Sequence, residues 1–280
     1  MRKYTVADNS PRGCLPSSLF KYFDMRDIRS ATDEFVSCMN DIATEFQEKI
    51  HAVNCRYSPG KIDLNPRKLF GQSVTLEYVG AGSYGSVYKI TIADHVFALK
   101  IGRFPRNRTE ELENMHLQKW ARNLFVPTFI ASPVTVGKLQ YVWFFMAYSE
   151  PQPYNVRRYL DVLDRLFLLN LTKGLLYEDV SIMNINGGRI LDKGGLSQRA
   201  SFVPLTRVQS DCVRRLVDSM RKYDLQQFIS RANEISMRHP AVIKYMAFYT
   251  RVADMWLRLR YQDFIKYISC LDKQNNQKKR

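Results

Sequence analysis

The stretch that most constrains this chain is Val79 to Lys100, VGAGSYGSVYKITIADHVFALK. Leu76 and Tyr78 lead into Gly80, Ala81, Gly82, Ser83, Tyr84 and Gly85. Val87, Tyr88, Ile90 and Ile92 follow as β-branched and aromatic material, and Val96, Phe97, Ala98 and Leu99 run up to Lys100. The pattern predicts a strand, a glycine-rich turn, a second strand, a short connection and a third strand ending on a lysine. Glycines let a backbone approach phosphate oxygens with no side chain in the way. A lysine on a neighbouring strand adds a point charge for the same phosphates. A dinucleotide-binding turn is excluded by context, because it needs a helix to open at the glycines, whereas Ser86 onward reads as strand. An ordinary β-meander is the plainer alternative.

The chain has 280 residues, 45% hydrophobic and 12% aromatic, enough to bury a substantial core in one large domain or two smaller ones. No apolar run reaches membrane-spanning length, VWFFMAY being far too short. The first residues lack the apolar core of a signal peptide, so the expectation is a cytoplasmic or nuclear protein that is not secreted. Cys14, Cys38, Cys55, Cys212 and Cys270 show no CxxC spacing, which predicts reduced thiols rather than a disulfide framework or a zinc site. The net charge of +15 suits a surface meeting nucleic acid, anionic lipid or an acidic partner protein, and equally suits dispersed, solvated lysines and arginines. Only Lys278, Lys279 and Arg280 form a run, and no nucleic-acid recognition motif accompanies the charge.

In chain order, Pro11, Gly13 and Pro16 predict no regular structure over residues 1 to 24. Ile28, Phe35, Met39, Ile42, Phe46, Ile50 and Val53 then recur at helical spacing, while Asp33, Glu34, Asp41, Glu45 and Lys49 point elsewhere. This is one long amphipathic helix, either packed on the neighbouring domain or serving as a docking element. Pro59, Gly60 and Pro66 mark a linker. After Lys100, Thr109 and the acidic residues behind it predict a helix with Leu112, Met115, Leu117 and Trp120 on its apolar face. Residues 129–131, 134–139 and 141–148 read as further strands. Tyr154 to Lys173 reads as a helix with Leu160, Leu163, Phe167 and Leu171 on one face, ended by Gly174. Asn186, Gly187 and Gly188 predict a hairpin turn. Helices are expected over 211–223, 225–237 and 241–271.

The glycine stretch has the form G-x-G-x-x-G-x-V followed by F-A-L-K, and it resembles the first three strands of a eukaryotic-type protein kinase. Downstream, Asp179, Asn184 and Asp192 resemble the kinase catalytic loop D-x-x-x-x-N and the metal-binding aspartate. The resemblance covers residues 70 to 271. It implies an α+β, bilobal fold: an N-terminal extension over 1–69, a small lobe of antiparallel sheet over 70–148, and a reduced, mostly helical large lobe over 149–280. It also implies a Ser/Thr protein kinase that uses ATP and Mg²⁺ on a protein substrate. Gly80, Ala81, Gly82, Ser83, Tyr84, Gly85, Val87, Ala98, Lys100, Met146 and Tyr148 would then contact ATP. Glu113, from a set that includes Glu110 and Glu111, would hold Lys100 in place. Asp179 would be the base, and Asn184 and Asp192 would hold Mg²⁺ through hard oxygen ligands. Such a residue set suffices because phosphoryl transfer is mostly positioning and charge neutralisation.

The departures are specific. Tyr177-Glu178 stands where the family has His-Arg, which implies activity independent of activation-loop phosphorylation. Ser181 stands where a lysine is common, Asp192-Lys193-Gly194 replaces Asp-Phe-Gly, and no Ala-Pro-Glu follows. Asp211 would brace the catalytic loop. Two further readings stay open: a pseudokinase that binds nucleotide or a partner protein with little turnover, and a small-molecule phosphotransferase of similar fold. The compact form is similar to kinases of large DNA viruses, DVSIMN resembling the D-I-T-P-M-N loop of the herpesvirus type. A viral protein of this kind would work in the host cytoplasm or nucleus.

Overall fold

The structure is a computed structural model. It describes residues 11–53, 61–82, 85–103, 112, 114–121, 123–153, 155–177, 184–192 and 194–198, with isolated positions between 206 and 230. The chain is mixed α+β and forms two compact units, residues 1–150 and 151–280.

The first unit is built on a seven-stranded antiparallel sheet. Its strands are β1 (Arg12–Gly13), β2 (Arg67–Leu69), β3 (Gln72–Ala81), β4 (Gly85–Ile92), β5 (His95–Gly102), β6 (Thr128–Val136) and β7 (Leu139–Ala147). They lie in the order β1-β6-β7-β5-β4-β3-β2. Tight turns at Phe70–Gly71, Ala93–Asp94 and Gly137–Lys138 join neighbours in sequence into hairpins, so most pairings are local. The glycine stretch thus forms β3, β4 and β5 as its residue types predict.

Helix α1 spans Ile28–Val53 and covers one face of this sheet. Phe35, Met39, Ile42, Ala43 and Phe46 are fully buried, at the i, i+4, i+7, i+8 and i+11 spacing of a single helical face. They pack with Ile90, Ile92, Leu99, Ile101, Trp143 and Phe145. The Phe35 and Phe145 rings meet edge-to-face with centroids 4.8 Å apart, and Trp143 Nε1 donates to Asn40 Oδ1 at 2.7 Å. Of the two readings of this helix, packing on the neighbouring sheet is the one observed. Ile28, counted on its apolar face, is instead exposed, and the face begins at Ala31.

A polar staple fixes the same helix to the chain that follows it. Glu45 takes Lys49 Nζ at 2.7 Å, Arg67 Nη2 at 2.6 Å and the Asn65 N–H at 3.0 Å. Burial opposes ionisation of Glu45, but these hydrogen bonds and the charges of Lys49 and Arg67 outweigh it and hold the carboxyl below the usual range.

Three expectations need correction. Residues 11 to 24 are ordered against the sheet: β1 pairs with β6, Ser17–Tyr22 forms a 3₁₀ turn, and Leu15 and Leu19 are buried. Residues 134–139 are not a separate strand, because Gly137 at φ +61° makes the turn between β6 and β7. The helix expected after β5 is α-helical at Leu112 and turns 3₁₀ over Asn114–Trp120, with Leu112 and Leu117 buried as their spacing predicts but Trp120 exposed; residues 104–111 lie outside the described residues.

In the second unit, α2 spans Val156–Lys173. Asn155 Oδ1 caps its start by accepting from the Arg158 N–H at 3.0 Å. Gly174, left-handed at φ +64°, ends it and donates to Asn170 O at 3.0 Å. Tyr159, Val162, Leu163 and Leu166 are buried; the side chains of Leu160, Phe167 and Leu171 lie outside those described. Strand β8 (Leu175–Tyr177) pairs with β11 (Leu196–Gln198), and β9 (Ile185–Asn186) pairs with β10 (Arg189–Ile190) around Gly187–Gly188. Residues 207, 208, 211, 214, 215, 218 and 230 are helical. The remainder of the three expected C-terminal helices lies outside the described residues.

Candidate active site

Side chains alternate across a strand, so the sheet sorts its residues into two faces. On β5, Phe97, Leu99 and Ile101 join the core under α1. Ala98 joins a smaller cluster with Leu112, Ala131, Val142, Phe144 and Met146, against which Val87, Met115 and Tyr148 pack while only partly buried. Val87, Ala98, Met146 and Tyr148, four of the expected nucleotide contacts, are therefore brought together. Lys100 follows Ala98 by two residues on the same strand, and its register partners are Val87 on β4 and Phe144 on β7. It is 6% exposed. A lysine this deep is stable only when its ammonium has polar partners.

The glycine loop lies at the end of this face. A register shift between Tyr78 and Gly80 takes Val79 out of the ladder, and the Gly82 N–H donates to Gly85 O at 2.9 Å to close the turn. Gly85 is dictated by packing, since a Cβ there would stand 2.7 Å from Ile101 O. Gly80 and Gly82 differ, because a Cβ at either meets no described atom within 4 Å. Packing against the described residues leaves room for a side chain at both, so it does not by itself demand glycine at either. Ala81 ends β3 and is exposed. Ser83 and Tyr84 lie outside the described residues.

One feature of this face was not legible beforehand. Lys89, paired with Ala98 across the ladder, sets its Nζ 5.2 Å from the Tyr148 ring centroid and 3.9 Å from Glu150 Oε1. This cation–π contact ties Tyr148 to the sheet. Leu112, expected on an apolar helix face, is 4% exposed and walls the cluster. Glu110, Glu111 and Glu113 lie outside the described residues.

In the second unit the β9–β10 hairpin brings two expected metal ligands to its open end. Ile185 pairs with Ile190, and the Leu191 N–H donates to Asn184 O at 2.7 Å. That bond closes the hairpin between Asn184 and the residue before Asp192. Asp192 Oδ1 accepts the Gly194 N–H at 2.9 Å, and Asp192 O accepts from the Tyr177 hydroxyl at 2.7 Å. The 8% exposed Tyr177 on β8 therefore orients the Asp192 backbone, a role the sequence flagged only as a departure from His. Asp179, Ser181 and Lys193 lie outside the described residues.

Among the described residues no group of three or more His, Cys, Asp or Glu side chains converges on a metal position. The expected Mg²⁺ donors are instead one carboxylate and one amide oxygen. That set fits a cation which keeps several waters and takes further oxygens from a substrate's phosphates.

Comparison with protein-family models gives no match, and comparison with curated proteins gives none. Among the described residues no helix is long and apolar enough to cross a membrane.

Proposed function

We propose that this chain is an ATP-dependent protein kinase that transfers the γ-phosphate to serine or threonine hydroxyls without needing a phosphorylated activation loop. One observation carries the reading. Val87, Ala98, Met146 and Tyr148 share a partly open apolar face with Lys100, beside a loop whose Gly80 and Gly82 are not demanded by the described packing. An apolar slot bordered by a cation and a glycine backbone with no side chains in the way has the chemistry to take a purine and its phosphates.

In this reading Lys100 orients the phosphates, and Asp179 accepts the proton of the attacking hydroxyl. Asn184 and Asp192 would hold Mg²⁺, which neutralises charge on the β- and γ-phosphates when bound. Tyr177 keeps the Asp192 backbone in place. The bilobal kinase arrangement and the likeness to viral kinases belong to this proposal. Ser181 and Lys193 favour a second reading, a binding module with little turnover, since each removes a group the family uses.

The test is transfer of labelled γ-phosphate from ATP·Mg²⁺ to the protein itself and to a generic protein substrate, with Asp179→Asn alongside. Incorporation by wild type that disappears in the variant supports a kinase with Asp179 as its base. No incorporation by either, with ATP still raising the melting temperature, selects the binding module.

A further inference from the structure

We infer that Arg12 is a positioning residue for the candidate nucleotide site, acting through Leu112. The inference rests on the nucleotide reading above and adds a part for the N-terminal segment, which lies outside the kinase resemblance.

Strand β1 lengthens the sheet at its β6 edge, with Arg12 opposite Ala131 and Gly13 opposite Ile130. The Cys14 N–H extends the ladder to Phe129 O at 2.9 Å. The next residues anchor the chain in the core under α1 through Leu15 and Leu19. Gly13 makes the docking possible: its φ is +107°, and a Cβ there would collide with Phe129 O.

With its backbone paired to β6 and the chain after it anchored in the core, Arg12 donates from Nη1 to Leu112 O at 3.3 Å in a part-buried bond. A guanidinium donating to a carbonyl makes a charge-assisted hydrogen bond. The Leu112 side chain lies in the cluster of Ala98, Ala131 and Met146. The bond therefore fixes one wall of the face that holds the expected nucleotide contacts. It also fixes the residue preceding Glu113, the glutamate expected to hold Lys100.

The test uses the full chain with Arg12→Ala, Arg12→Lys and Gly13→Ala, reading ATP·Mg²⁺ affinity, amide hydrogen exchange over residues 112–120, and melting temperature. Arg12→Ala should weaken ATP by about three- to ten-fold and speed exchange in that segment by a similar factor, while the melting temperature hardly moves. Arg12→Lys, which still donates to a carbonyl, should restore part of the loss. Gly13→Ala should reproduce the loss by displacing the strand. If wild type binds ATP and Arg12→Ala matches it in both affinity and exchange, this inference alone is overturned. A loss that only tracks the melting temperature overturns it too. If wild type binds no ATP, the nucleotide reading falls and takes the inference with it.

Discussion

Val87 and Lys100 face each other across the β4–β5 ladder, which sets the lysine beside the valine that follows the glycine loop. Hairpin geometry alone produces this pairing, because the two-residue turn at Ala93–Asp94 fixes the register back to Gly85 and Gly102. A loop able to receive phosphates and a cation able to balance them are thereby coupled by one local element.

Lys100→Met keeps most of the aliphatic stem and removes the charge. Phosphate transfer should fall by about 100-fold or more, with circular dichroism and melting temperature close to wild type. A variant that stays active would remove Lys100 from the site.

The three loop glycines should separate by role. Gly85→Ala forces a Cβ to within 2.7 Å of Ile101 O and should destabilise the fold by about 1–3 kcal/mol. Gly80→Ala and Gly82→Ala should leave the melting temperature unchanged and weaken ATP, because only the ligand needs their bare backbone. Urea melts run beside nucleotide titrations give both numbers. Equal losses of stability at all three positions would make the loop a structural turn only.

Helix α1 should behave as core. Phe46→Ala empties a fully buried site whose ring meets Tyr88 edge-to-face and should cost about 3–5 kcal/mol in denaturant unfolding. A loss below 1 kcal/mol would mean that the helix is docked loosely and can leave the sheet.

The Glu45 staple predicts a pH dependence. Its carboxyl is held below the ordinary value, so ionised Glu45 stabilises the fold above the usual glutamate range of about 4.3. That contribution is lost as pH falls through the depressed folded value. Glu45→Gln should melt below wild type at neutral pH by about 1–2 kcal/mol, with the gap closing in acid. A gap that stays constant with pH would assign the effect to packing.

Much of this was legible because it is local. The glycine turn, the hairpin at Gly187–Gly188 and the helix over Ile28–Val53 each follow from residue types within a few positions of one another. What escaped is non-local. Strand β1 has two residues beside a proline, and it exists only because β6, far along the chain, offers an edge. The 3₁₀ helix over Asn114–Trp120 carries an apolar spacing that does not tell it from an α-helix. Lys89 reads as a solvated charge on a strand, and Tyr177 reads as a lost histidine. Their partners, Tyr148 and the Asp192 carbonyl, are set by the fold.

The most direct test of the central claim, that the face bearing Ala98 takes a nucleotide, is calorimetric titration of the protein with a non-hydrolysable ATP analogue and Mg²⁺. Ala98→Phe, which fills the slot from within, would be titrated beside it. The account predicts one-site binding by wild type and none by Ala98→Phe, with both proteins folded by circular dichroism. Equal binding by the two, or no binding by wild type, would contradict it.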